Sequence, residues 1–246
     1  MKILLTNDDG FYSPGIECLR RGFSGNEVWT MAPDGDRSGK SHSITLKQPV
    51  KVSQIDERGY VCSGSPADCV MYSLLGALSV KPDLIISGIN LGPNLGTDIV
   101  YSGTAAAARQ GALSGIPSFA ISSVNMDPKQ DFTPYISFIE ENLEILLSLW
   151  SEDFFININF PKQIVGEVAI TRPARRIYKD KLDSYISQRG DRFYFLSGEL
   201  SMAEYESSTD WKAVNEGKIS ISPIFLHPFN HSEEEIFKKA KFKAVK

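Results

Sequence analysis

The sequence predicts an α/β fold: a Rossmann-like, mostly parallel sheet with helices on both faces, followed by an extended C-terminal arm or hairpin. Two observations carry the core. Short β-branched runs alternate with stretches of helical period through the first two thirds of the chain, and strand then helix, repeated, is the pattern of a parallel sheet whose crossovers cover both faces. The arm rests on a third: after Arg172 the chain becomes charged and tyrosine-rich and loses its helical period.

In chain order, strands are expected over 2–5 (KILL), 27–31 (EVWTM), 83–87 (DLIIS), 118–122 (SFAIS) and 154–159 (FFININ). Helices are expected over 15–23, 67–78, 104–113 and 135–150, where apolar residues recur at three and four. In the last of these Ile136, Ile139, Leu143, Leu146 and Leu147 form one stripe, which reads as core. Segment 45–62 has no helical period and reads as a hairpin inserted between the second strand and the next helix. In the arm, Gly190 and Gly198 signal turns, and a short helix near 210–215 and a strand over 218–225 (KISISPIF) follow. This divides the chain into a catalytic core, 1–172, and an arm, 173–246, that packs back on the core. Such an arm either pairs subunits or is a plain surface excursion. At the tail, Ser232 followed by Glu235 makes a capping box, and five lysines lie between Lys238 and Lys246. Glu233, Glu234 and Glu235 offset that charge, so the tail reads as a solvated helix and not a nucleic-acid arm.

Composition narrows the function. The 246 residues are 42% hydrophobic and 23% charged with a net charge of -4, which excludes disordered and fibrous classes. A mildly acidic chain lacks the basic footprint of nucleic-acid or anionic-membrane binding, so a small ligand is the expected partner. No apolar run reaches the ~18 residues of a membrane span. Cys18, Cys62 and Cys69, with His42, His227 and His231, are scattered without metal-site spacing. Any metal is therefore expected to be a hard cation held by oxygen. An odd cysteine count and an opening without a leader pattern lead to the expectation of a cytoplasmic protein.

In an open α/β sheet, ligands bind outside the carboxyl ends of the strands, and three loops there are unusual. The first is Thr6-Asn7-Asp8-Asp9-Gly10. Adjacent carboxylates repel, and burying their charge is costly unless a cation neutralises it; the same tetrad is also good turn chemistry. The second loop contains Gly39-Lys40-Ser41, but a P-loop requires a glycine where Asp34 stands, and no helix follows. The P-loop is rejected, while the loop's hydroxyls and Arg37 are kept as phosphate or metal contacts. The third runs from Ser87 through Asn90 and Asn94 to Ser102-Gly103-Thr104 at the head of an alanine-rich helix. Its free N–H groups and positive dipole end suit an anion, and the Ser102 and Thr104 hydroxyls add donors. An N-cap after a long loop is the plainer reading. Together the loops suit an oxygen-ligated Mg²⁺ or Mn²⁺ beside a phosphate.

These motifs are NDDG after a short strand, APDxxxSG, GSPADC at 64–69, PDLIISGINLGPNLG at 82–96, YSGTAAAA and the late NINFP. In order and spacing they resemble the SurE survival protein family of nucleotidases, from Met1 to about Phe225, with weaker matches at Ser208-Thr209-Asp210 and GKISISPIF. The resemblance implies a metal-dependent phosphatase for nucleoside 5′- and 3′-monophosphates on a Rossmann-like core, with a swapped arm that builds homodimers or homotetramers. It implies one divalent ion per subunit, held by Asp8, Asp9, Ser38 and Asn90, and a phosphate held by Asn94, Ser102, Gly103 and Thr104. Asp8 and Asp9 become the catalytic pair. Ser65 replaces the family's threonine in GTPADC and Ala105 the valine after YSGT, and neither is an implied ligand. Two rival readings are a phosphatase acting through an aspartyl-phosphate, disfavoured by Asn7 in the position such enzymes give to the nucleophile, and a non-catalytic nucleotide sensor, disfavoured by paired aspartates facing a phosphate site.

Overall fold

A computed structural model describes residues 1–227 and 234–240. Its centre is a nine-stranded sheet. From β1 (Lys2–Thr6) the chain passes through α1 (Pro14–Gly22) to β2 (Glu27–Pro33). A short hairpin, β3 (Val52–Gln54) and β4 (Gly59–Cys62), leads into α2 (Pro66–Tyr72), β5 (Leu84–Leu91), α3 (Gly103–Leu113) and β6 (Ser118–Ser123). Then come α4 (Thr133–Glu141), α5 (Leu143–Leu149), β7 (Phe154–Phe160) and the edge strand β8 (Val168–Ile170). The arm hairpin is β9 (Arg176–Ile186) and β10 (Arg192–Ala203), after which α6 (Asp210–Asn215) and β11 (Ile219–Phe225) return to the sheet; α7 (Glu234–Lys239) lies beyond. The strand order is β3-β4-β2-β1-β5-β6-β7-β11-β8. Strands β4, β2, β1, β5, β6 and β7 are parallel, and β11 runs antiparallel to β7.

Both faces are covered, as strands with near-continuous apolar runs require. On one face α1, α4 and α5 pack Ile16, Leu19, Ile136, Ile139 and Leu146 against Ile3, Leu5, Ile86, Ile121 and Ile158. On the other, α2 and α3 pack Cys69, Val70 and Ala107 against Leu4, Met31 and Ile85. The alanines of α3 let it lie close: Ala105, Ala108 and Ala112 meet Ala120 and Phe155.

Four local expectations change. The helix expected over 67–78 stops at Tyr72 and widens into a π turn, Ser73–Ala77, with Gly76 at φ 112. The helix over 135–150 is two helices that break at Asn142, whose side-chain Nδ2 donates to Phe138 O at 2.8 Å. The hairpin expected over 45–62 is paired only from Val52, because Thr45 is drawn to Asp68 instead: its N and Oγ1 donate there at 2.9 and 2.7 Å. Gly198, expected to turn, sits inside β10 opposite Asp180, where a Cβ would stand 2.7 Å from the Asp180 carboxylate. Of the tail's capping box, Ser232 lies outside the described residues.

Candidate metal and phosphate site

The site lies over the carboxyl ends of β1, β2 and β5 and the head of α3. The first loop is shaped by Asn7, whose Nδ2 donates to Gly10 O (3.0 Å) and Ser13 Oγ (2.7 Å) while its Oδ1 accepts from Gly10 N (3.1 Å). Gly10 has φ +103, and a Cβ there would stand 3.3 Å from the Gly35 backbone, so a side chain would be strained as well as crowded. This turn fixes the two aspartates on rigid backbone.

Asp8 is buried and its Oδ1 accepts from the Thr104 hydroxyl. Gly103 leaves room for it: a Cβ there would be 2.7 Å from Asp8 Cβ and 2.8 Å from its Oδ2. Burial pushes the Asp8 carboxyl up, with the Thr104 hydrogen bond acting against it. Asp9 is half-buried, and its Oδ2 is enclosed without any hydrogen-bond partner. Burial, then the neighbouring Asp8 charge, pushes it up to about 7, opposed by the Leu91 N–H. Two neighbouring carboxylates with an orphaned buried oxygen form an uncompensated negative pocket, the donor set a hard divalent cation fits.

The second loop is tied down by Arg37 N, which donates to Asp8 O at 2.7 Å. Ser38 is exposed, and its N and Oγ donate to Asp36 Oδ1 at 2.8 and 2.5 Å, which holds the Asp36 carboxyl below its usual range. The Arg37 guanidinium pairs with Asp34 and is thereby taken from the ligand. In the third loop the β5–β6 register slips between Ser87 and Asn90, a bulge of the kind that re-aims a side chain. The Asn90 Nδ2 donates to Gly92 O at 2.7 Å, leaving its oxygen as the end to face a cation.

Ser102 is the N-cap of α3: its Oγ accepts from Ala105 N at 3.0 Å. Helix geometry leaves the N–H groups of Gly103 and Thr104 without intrahelical partners, directed at the space beside Asp8. The Thr104 hydroxyl, expected as a phosphate donor, serves Asp8, and so does its backbone N–H, which leaves the Gly103 N–H for an anion. Asn94 is buried, with Nδ2 donating to Ser122 Oγ at 2.7 Å and its N donating to Asn159 Oδ1 at 2.9 Å. Its carbonyl accepts from Asn157 and Asn159 at 2.9 and 3.1 Å. Asp8, Gly103 and Thr104 are thus in direct contact, whereas Ser38, Asn90 and Asn94 each engage a neighbour in their own surroundings.

Several supporting residues were not singled out from sequence. Asp68 closes a capping box with Ser65 at the head of α2 and anchors Thr45. Asn157 and Asn159 hold the Asn94 loop, and two amides alternating within an apolar strand were the available signal. Asp210 is fully buried and accepts from Gly96 N, Ala174 N and Trp211 N at 2.7, 2.9 and 2.7 Å. Nothing in the sequence near Asp210 announces a partner 114 positions away.

Residues 3–180 match the family described as Survival protein SurE. The chain is 37% identical over 250 residues to the 5′-nucleotidase SurE of Desulforudis audaxviator, covering 97% of each. It is 39% identical to the 5′-nucleotidase SurE of Symbiobacterium thermophilum, covering 91% of this chain and 92% of that one. The crystal structure of the Sure protein from Aquifex aeolicus superposes with a TM-score of 0.83 at 36% identity, covering 97% of this chain and 98% of that one.

Proposed function

The chain belongs to the SurE family, and we propose that this site hydrolyses nucleoside 5′-monophosphates, and 3′-monophosphates as a second substrate, to nucleoside and phosphate. The observation that carries the reading is the meeting of a buried carboxylate pair with a free helix N-terminus, through Asp8, Gly103 and Thr104. The first needs a cation and the second an anion, and a phosphate beside a divalent ion satisfies both.

Asp8, Asp9, Asn90 and Ser38 would hold one Mg²⁺ or Mn²⁺. When bound, that ion neutralises charge on the phosphoryl oxygens and acidifies water. The rest falls to the chain. The Gly103 N–H, the Ser102 hydroxyl and Asn94 hold the phosphate so that its ester bond lies in line with an attacking water, with Thr104 beside them fixing Asp8. Asp8 is committed to Thr104 and orients the site. Asp9 Oδ2 has no hydrogen bond to give up, and it takes the proton of the attacking water.

The exposed apolar side chains of the arm, among them Leu182, Phe193, Phe195 and Leu196, support pairing with a second copy in a homodimer or homotetramer. No helix among the described residues is long and apolar enough to cross a membrane, and the cysteines are free; both accord with a cytoplasmic enzyme. Phosphate release from AMP, followed after EDTA treatment and again after adding Mn²⁺ or Mg²⁺, tests the reading. Loss with EDTA and recovery with metal is expected, and turnover indifferent to chelation overturns the metal-assisted route.

A further inference from the structure

A nucleoside monophosphate carries a base, and none of the groups above touches one. Two aromatic residues, Phe11 and Tyr101, flank the site loops in sequence, and the structure separates them. Phe11 is 4% exposed, sealed in the core beneath Arg20. Tyr101 is 66% exposed and immediately precedes Ser102, the cap of the phosphate-facing helix.

Its backbone is held on both sides. Tyr101 N donates to Asp98 O at 2.9 Å, and Tyr101 O accepts from Ser41 N at 3.0 Å. The Ser41 hydroxyl donates to Val100 O at 2.7 Å. The ring therefore stands in solvent on a fixed stem, close to the Gly103 amide that faces the phosphate. Only Ser102 separates Tyr101 from Gly103, and consecutive Cα atoms are about 3.8 Å apart. Tyr12 is also exposed, at 79%, but its loop is pinned to the β2 end by the Phe11 N–Pro33 O bond and its ring packs edge-on against Phe11.

We propose that Tyr101 is the stacking platform for the nucleobase of the substrate, an inference that rests on the nucleotidase reading. Every base has a π-face, so a platform of this kind binds bases broadly. It sets the preference of the site for nucleotides over other phosphomonoesters.

The test compares kcat/KM of the full-length protein with Mn²⁺ for AMP and for ribose 5-phosphate, which has the same ester without the base. The wild type is expected to prefer AMP. Tyr101→Ala should lose about tenfold of that preference, mainly through KM for AMP, while Tyr101→Phe keeps it. The proposal is overturned if the ratio is unmoved in Tyr101→Ala, if both substrates weaken in proportion, or if Tyr12→Ala collapses the ratio instead. A wild type that cleaves both substrates without preference also overturns it. A wild type that cleaves neither overturns the nucleotidase reading itself.

Discussion

The Thr104 hydroxyl donates to Asp8 Oδ1 across 96 positions of sequence, joining the head of α3 to the first carboxylate of the loop after β1. The contact welds the β1 loop to α3, since Thr104 turns both its O–H and its N–H to the aspartate. Gly103 beside it leaves the gap that the aspartate fills.

Replacing that hydroxyl with a methyl group is therefore expected to damage catalysis more than stability. Thr104→Val keeps the shape and removes a hydrogen bond to a charged group, worth about 1.5–3 kcal/mol. A fall in kcat/KM of roughly 10- to 100-fold follows, with Thr104→Ser restoring most of it. Steady-state kinetics on the three proteins decides; equal activity in Thr104→Val would remove the weld from the mechanism.

Asp9→Asn should separate activity from stability in opposite directions. Turnover falls by at least about 10²-fold because the proton acceptor is gone. The metal-free protein becomes more stable, by about 1 kcal/mol or more, because one of two crowded buried charges has been removed. Urea unfolding in EDTA measures the second effect, and a destabilised variant would mean that Asp9 is held by contacts other than those described.

The pH dependence has a definite sign. The Asp9 carboxyl sits at about 7 in the folded chain against an ordinary value of 3.8, and burial moves Asp8 in the same direction. Folding thus favours their protonated forms, and that stabilisation is full below the ordinary value and lost as pH rises through about 7. Glu204, held down at about 2 by Arg172, works in the opposite sense: it adds stability as pH rises through its ordinary 4.5 and no slope above about 6. The Tm of metal-free protein should fall as pH is raised from about 6 to about 8, where only the raised carboxyls still titrate, and saturating Mn²⁺, which requires ionised ligands, should remove much of the fall. A flat or rising profile without metal contradicts the buried-pair description.

Asp210→Ala should loosen the phosphate loop from a distance. It strips three backbone N–H groups of their acceptor, those of Gly96, Ala174 and Trp211, at a cost of about 3 kcal/mol or more. Because Gly96 ends the loop that carries Asn94, KM for AMP should rise along with the loss in denaturant midpoint. An unchanged midpoint would show that the three amides find another partner.

Periodicity located the five inner parallel strands β1, β2, β5, β6 and β7, since buried strands need apolar runs and their crossover helices need an apolar stripe; the short edge strand β8 had no such signal. Residues 2–5, 27–31, 118–122 and 154–159 fall within observed strands, and 83–87 does so but for Asp83, β5 starting at Leu84. Where the reading slipped, a long-range contact had overruled a local signal. Thr45 left its hairpin for Asp68, and Gly198 lies within β10 opposite Asp180, not at a turn. Asn142 and Gly76 ended helices by local geometry that an apolar stripe passes over.

By itself the sequence determined the fold class, the oxygen character of any metal ligand and the three loops at one sheet edge, because composition and period are local properties of the chain. Only the tertiary structure decided that Thr104 serves Asp8, that Asp9 keeps an unpartnered oxygen, and that Phe11 is core while Tyr101 faces solvent. Those outcomes depend on which groups are desolvated together, and burial is set by elements far apart in the chain, from β1 to the head of α3 and from the Asn94 loop to Asp210.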